Sequence, residues 1–327
     1  MFNILNHSKK SNARIGELHT AHGVIETPVF MPVGTQATVK GVPVDFLHQL
    51  QTQIILGNVY HLNLRPTSER IAKLGGLHSF MNWNKPILTD SGGYQVFSLQ
   101  NQRTIEPDGV TFKSHLDGSK HRLTPKRVID IQRNLGSDIM MPLDICTPYP
   151  STQQQVEADM KITHRWEAEA FDYWQQNTNQ QLLFGLVQGG VFKESRQKSA
   201  ETLTKLPFSG FSIGGLSVGE PMDELEAITE PGAGARIIAG MLLAARAQKD
   251  TTMMLVTHLA PAIIEASGVD DFRVDGIEAR GLDADLELIV DRTPIRNHLA
   301  RSTPELIVKR LVERSNGHAK SLFSEIL

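Results

Sequence analysis

The sequence predicts an α/β protein in which parallel strands covered by helices close into a barrel. Three observations predict it. Short runs that are apolar throughout recur along the chain, amphipathic stretches separate them, and acidic, amide and glycine residues gather where the runs end. A strand buried on both faces reads as a continuous apolar run, because helices cover both sides of a parallel sheet.

The runs come in order as "TPVFMPVG" (27–34), "QIILGNVY" (53–60), "KPILTDSGG" (85–93), "SDIMMPLDI" (137–145), "LLFGLVQGG" (182–190) and "FSGFSIGGL" (208–216). Between the fourth and fifth, residues 151–180 place Val156, Met160, Trp166, Ala170 and Trp174 on one face at helical spacing. In barrels of this kind functional groups stand at the carboxyl ends of the strands, where Asp90, Asp144, Gln188 and the Gly214-Gly215 pair fall. Each has an ordinary alternative: Asp90 could cap the next helix, Asp144 a turn before Pro148, and Gln188 its own loop. Cys146 taken alone reads as a small buried apolar residue. Gly92 and Gly93 favour a binding role for Asp90, since glycine lets a flat ligand approach the main chain closely. Several such groups at successive strand ends point to one shared pocket.

At 327 residues with a net charge of -3, the chain can bury a sizeable core and is not cationic as a whole. A polyanionic partner therefore needs a local patch. Lys113, Lys120, His121, Arg122, Lys126, Arg127 and Arg133 form one, opposed within the stretch only by Asp117 and Asp130, although a solvated helix face reads the same way. The single cysteine excludes an intrachain disulfide and a cysteine-based zinc cage. No signal-peptide pattern opens the sequence and no run is long enough to span a bilayer, so a cytoplasmic protein without membrane contact is expected.

Seven motifs in one order resemble the bacterial tRNA-guanine transglycosylases: "TPVFMPVGTQATVKG", "ILGNVYHLNLRP", "TDSGGYQVFSL", "DGVTFKSHLDGSKHRLTP", "MPLDICTPYP", "LFGLVQGG" and "GGLSVGEP", together covering about residues 1–222. The resemblance implies a TIM-type (β/α)8 barrel that exchanges guanine at the anticodon wobble position for a 7-deazaguanine queuosine precursor by double displacement. It implies tRNA with a G-U-N anticodon and a guanine or 7-deazaguanine base as partners, and leaves oligomeric state open, a homodimer being one arrangement. It further implies that Asp90 is the acid/base, that Ser91, Gly92, Gly93 and Tyr94 line the base pocket with Tyr94 stacking, and that Asp144, Gln188 and Gly215 hydrogen-bond the purine. Gly214, Leu216 and Cys146 lie close by on the same reading.

The family's nucleophilic aspartate and its zinc ligands, three cysteines and a histidine, have no counterpart after "GEPMDE", so the last two βα units are replaced or incomplete and no metal or other cofactor is expected. Residues 223–327 instead resemble a MutS-type ATPase segment, with Asp223 and Glu224 as its acidic pair, "TEPGAGA" as its signature loop and His258 as its phosphate sensor. No Gly-Lys pair exists to form a phosphate loop, which argues against ATP hydrolysis by this chain. The runs "TTMMLVTH" and "DLELIVDR" could stand as the seventh and eighth barrel strands, which would bring Glu287 or Asp291 near the vacant nucleophile position. Two function classes follow: the transglycosylase, and a catalytically silent guanine- or tRNA-binding protein.

Overall fold

The computed structural model describes residues 2–7, 14–99, 102–216 and 218–229, together with five short strands between residues 252 and 296. Its centre is a parallel sheet. The strands are β4 (Ile55–Gly57), β5 (Ile87–Thr89), β9 (Ile139–Met140), β10 (Leu182–Val187), β11 (Gly210–Ile213) and β12 (Thr252–Met253). They are hydrogen-bonded in the order β12-β11-β10-β9-β5-β4, with every pair parallel. The run "TPVFMPVG" joins β4 only through a parallel bridge from Val33 to Leu56, with Leu56 N donating to Pro32 O and Gly34 N to Leu56 O. Proline lacks an N–H, so the prolines at 28 and 32 deny this run a longer ladder.

Alternate residues along the strands enter different apolar clusters. Leu88, Ile139, Phe184 and Leu186 pack in one, together with Leu18 and Ile25. Ile55, Ile87, Met140, Leu183 and Val187 face the clusters shared with the helices. Period-two alternation with both faces buried is the pattern expected of a helix-covered parallel sheet.

The helices that matter for the site are α2 (Val59–Leu64), α4 (Gly76–Met81), α5 (Gly93–Ser98), α6 (Pro125–Leu135), α7 (Gln153–Gln175), α8 (Lys193–Leu203) and α9 (Met222–Thr229); α1 (Val44–Gln49) and α3 (Ser68–Lys73) complete the set among the described residues. Helix α6 begins with Thr124 Oγ1 accepting from Arg127 N at 3.2 Å and Pro125 at its first position, and ends at Gly136 in a left-handed conformation. Those are strong start and stop signals, since proline needs no donor there and glycine tolerates positive φ. Helix α7 buries Val156, Met160, Trp166 and Ala170 as its spacing predicts, and also Asp159, Thr163 and Glu167, which apolar periodicity passes over.

Two three-stranded antiparallel sheets flank the centre. One comprises β1 (Phe2–His7), β2 (Arg14–Thr20) and β3 (Gly23–Thr27); the other comprises β6 (Arg103–Glu106), β7 (Gly109–Lys113) and β8 (Lys120–Leu123). The second carries much of the basic stretch, so that stretch is a hairpin followed by a helix. Its charge is also more balanced than the local sequence suggests. Arg122 pairs with Glu106 and Asp108, Arg127 with Glu69, and Lys126 with Glu169, all acids from outside the stretch. Lys113 and Lys120 face each other across the β7–β8 ladder and make no ion pair among the described residues.

The strand Thr252–Met253 extends the parallel sheet beside β11, as expected for "TTMMLVTH". The run "DLELIVDR" does not supply an eighth parallel strand. Its strand β15 (Glu287–Val290) lies in a separate antiparallel sheet with β13 (Asp271–Val274), β14 (Ile277–Arg280) and β16 (Thr293–Arg296). The physical reason is local: antiparallel strands joined by short connections pair more readily than parallel strands that need long crossovers. Asp223 and Glu224 occupy the first turn of α9, where Tyr149 Oη donates to Glu224 Oε1 at 3.0 Å. The "TEPGAGA" loop and His258 fall outside the described residues.

Candidate active site

Strand β5 ends at Thr89, and Asp90 follows it. The Asp90 carboxylate is held from two directions: Asn58 Nδ2 donates to Oδ2 at 2.5 Å, while Val59 N and Gly92 N each donate to Oδ1 at 3.0 Å. Asn58 also caps α2, its Oδ1 accepting from His61 N. Burial pushes the Asp90 carboxyl up to about 7, its three donors pull it back, and the nearby Asp144 adds to the rise. A carboxyl near neutrality can both take and give a proton at working pH.

The next residue links this acid to the second. Ser91 Oγ donates to Asp144 Oδ1 at 2.8 Å and accepts from Gly93 N, while Gln188 Nε2 donates to Asp144 Oδ2 at 2.8 Å. Burial raises Asp144 above the usual carboxylate range, and the bonds from Ser91 and Gln188 oppose the rise. Ser91, Asp144 and Gln188 therefore form one hydrogen-bonded group at the ends of β5, β9 and β10, and Asp90, the neighbour of Ser91 in the chain, stands beside it within electrostatic reach of Asp144.

Glycine is required where this group is tightest. A Cβ on Gly93 would stand 2.5 Å from Asp144 Oδ1, and one on Gly215, where φ is +66°, would stand 2.6 Å from Gln188 Oε1. Gly214 is equally close to the Gln188 amide, and the partly buried Leu216 follows. Tyr94, at the start of α5, is 55 % exposed, which leaves its ring free to cover a flat ligand. The thiol of Cys146 is pushed up to about 12, mostly by burial, with Asp144 and Glu220 adding to the effect. It is a neutral wall residue; nucleophilic thiols have depressed values.

Three residues that sequence reasoning did not single out support the group. Asn58 sits at a strand end before a helix, and its capping position was readable. Arg196 is fully buried in α8 and reaches main-chain carbonyls of both glycine loops: its Nε donates to Gly190 O at 2.6 Å and its Nη2 to Gly214 O at 2.9 Å. Nothing in "KESRQKSAETL" distinguishes it from a solvated helix arginine. Glu220 joins Gln188 and Gly215 in lining an open concavity beside the group, and its Oε2 accepts from Val218 N. Glu287 opens β15 of the separate antiparallel sheet, and Asp291 lies outside the described residues.

Fold and site together define an α/β protein with a paired-acid, glycine-walled polar cluster at the carboxyl ends of a parallel sheet. The family model described as queuine tRNA-ribosyltransferase matches residues 8–234. Among curated proteins of that name, the one from Caldanaerobacter subterraneus subsp. tengcongensis is 54 % identical over 222 residues, 68 % of this chain and 59 % of its own length. Another, from Thermoanaerobacter sp., is 52 % identical over 229 residues, 70 % of this chain and 61 % of its own length. A third, from Acetivibrio thermocellus, is 45 % identical over 282 residues, 86 % of this chain and 70 % of its own length. The chain belongs to the queuine tRNA-ribosyltransferase family. It spans about three-fifths of the length of two of these relatives and 70 % of the third.

Proposed function

We propose that the chain carries the base-exchange half of a tRNA-guanine transglycosylase: it holds a guanine or 7-deazaguanine and manages the proton transfers as that base leaves, or joins, the wobble ribose of a G-U-N anticodon. The observation that carries this reading is the hydrogen-bonded group Ser91–Asp144–Gln188 beside the buried Asp90, whose carboxyl is raised to about 7. A purine edge offers adjacent donors and acceptors. The Asp144 carboxylate can accept from the purine's N–H groups, the Gln188 amide can serve either polarity, and main-chain groups beside Gly215 reach the rest.

The departing base needs a proton as its glycosidic bond breaks, and the arriving base must lose one as the new bond forms. Asp90 would supply and recover that proton. Double displacement also needs a carboxylate that attacks the anomeric carbon and is later displaced. No residue of the polar group at the strand ends takes that role in this reading; Glu287 and Asp291 remain the candidates within the chain. The facing Lys113 and Lys120 are a suitable contact for tRNA phosphates. The sequential order of the parallel strands supports closure into a barrel. Residues 223–327 would then be a distinct part that supplies one strand to it, in a protein working with tRNA in the cytoplasm.

The test is incubation of the chain with radiolabelled guanine and an unmodified tRNA bearing a G-U-N anticodon. Label entering the tRNA supports the enzyme. Guanine binding without incorporation supports the silent binder, and loss of both overturns the pocket.

A further inference from the structure

At the opposite end of the sheet from Asp90, three residues distant in sequence meet. Asp138 immediately precedes β9, and its side chain is fully buried. Its Oδ2 accepts from Ile87 N at 2.9 Å and its Oδ1 from His22 N at 3.1 Å. His22 stands in the turn between β2 and β3, and His78 in α4. His22 Nδ1 lies 2.9 Å from Asp138 Oδ1, and His78 Nε2 lies 3.2 Å from Asp138 Oδ2.

We propose that His22, His78 and Asp138 form a binding site for a divalent transition-metal ion of the zinc class. The three ligand atoms all lie within 4.8 Å of one another. Nitrogen and oxygen ligands about 2.0–2.1 Å from a tetrahedral ion stand about 3.3 Å apart, and each imidazole nitrogen lies near that distance from one oxygen of the carboxylate, His22 Nδ1 from Oδ1 and His78 Nε2 from Oδ2. Hydrogen bonding leaves one group unsatisfied. His78 Nε2 is buried and near the carboxylate, yet out of alignment for a hydrogen bond to it or to any other described group. The two imidazoles stack with centroids 3.5 Å apart, so a modest swing of each ring would turn both nitrogens toward one ion.

Two imidazoles and a carboxylate suit zinc, cobalt or nickel and disfavour magnesium and calcium, which prefer oxygen ligands. The site contains no thiolate, so a search for cysteine-based ligands overlooks it. Because it joins the β2–β3 turn, α4 and the entry to β9, its role would be to pin these elements beneath the sheet. It touches no residue of the proposed base pocket, and its test is independent of that reading.

The experiment is calorimetric titration of the chelator-treated full chain with zinc chloride, repeated with cobalt(II) to read a tetrahedral ligand-field band. One equivalent should bind to the unaltered chain and raise its Tm. Affinity should fall at least tenfold in His22→Ala and in His78→Ala, and hold in His19→Ala. Should either variant fail to fold, diethylpyrocarbonate labelling of the unaltered chain decides: zinc should protect His22, which is partly exposed. Absence of binding, undiminished binding in both variants, or equal labelling of His22 with and without zinc would overturn the site.

Discussion

Replacing Arg196 by methionine tests whether a buried guanidinium holds the two glycine loops of the polar cluster. The structure gives the size of the effect. Two short bonds, to Gly190 O and Gly214 O, are lost, along with weaker contacts to Val187 O at 3.3 Å and Gly215 O at 3.4 Å. Hydrogen bonds from a charged donor contribute about 1.5–3 kcal/mol each, so the two short ones together contribute about 3–6 kcal/mol. Against this stands relief from burying a cation, a cost large enough to push Arg196 down to about 9. The net expectation is a loss of about 2–4 kcal/mol, because two carbonyls stay buried without donors while the charge is gone. At a urea slope of about 2 kcal/mol per molar, the unfolding midpoint should fall by about 1–2 M. Arg196→Lys should do no better, since an ammonium cannot reproduce the guanidinium fork. The assay is equilibrium urea unfolding followed by tryptophan fluorescence. A methionine variant as stable as the parent, or more so, would show that the buried charge costs more than its bonds contribute and would refute the reasoning.

Two further predictions concern the polar cluster itself. The Asp90 carboxyl is raised in the folded chain, so the folded state binds its proton more tightly than the unfolded chain does. The stability contributed by that proton is complete below about pH 4, the unfolded value, and declines as pH rises through about 7. Asp90→Asn should abolish label exchange and gain stability relative to the parent between those limits in pH-stepped urea unfolding; parallel profiles for the two proteins would contradict the raised value. Gly215→Ala should weaken guanine binding tenfold or more in equilibrium dialysis, with only a small change in Tm, because its Cβ would displace the Gln188 amide from 2.6 Å. Unchanged affinity would place the base elsewhere.

The polar group at the strand ends was legible because its members stand beside glycines at the ends of apolar runs, and local backbone requirements appear directly in a sequence. The motifs carried further still, since long ordered matches constrain far more positions than periodicity does. By contrast, β1–β3 and β6–β8 were not foreseen. Their short strands lack a regular alternation of buried and exposed positions; in β1 every residue after the half-buried Phe2 is exposed, so neither period stands out.

By itself the sequence determined five segments that become parallel strands, β4, β5, β9, β10 and β11, the helical stretch of α7, and which side chains wait at the carboxyl ends, because hydrophobic period and turn chemistry act over a few residues. Only the tertiary structure decided what each buried polar atom meets. It brought Glu69 to Arg127, Gly190 and Gly214 to Arg196, and two histidines to Asp138 across 116 and 60 residues of chain. A buried polar or charged group must find a partner or pay the full cost of leaving water, and whichever group the packing delivers to that point satisfies it, however far away it lies in the sequence.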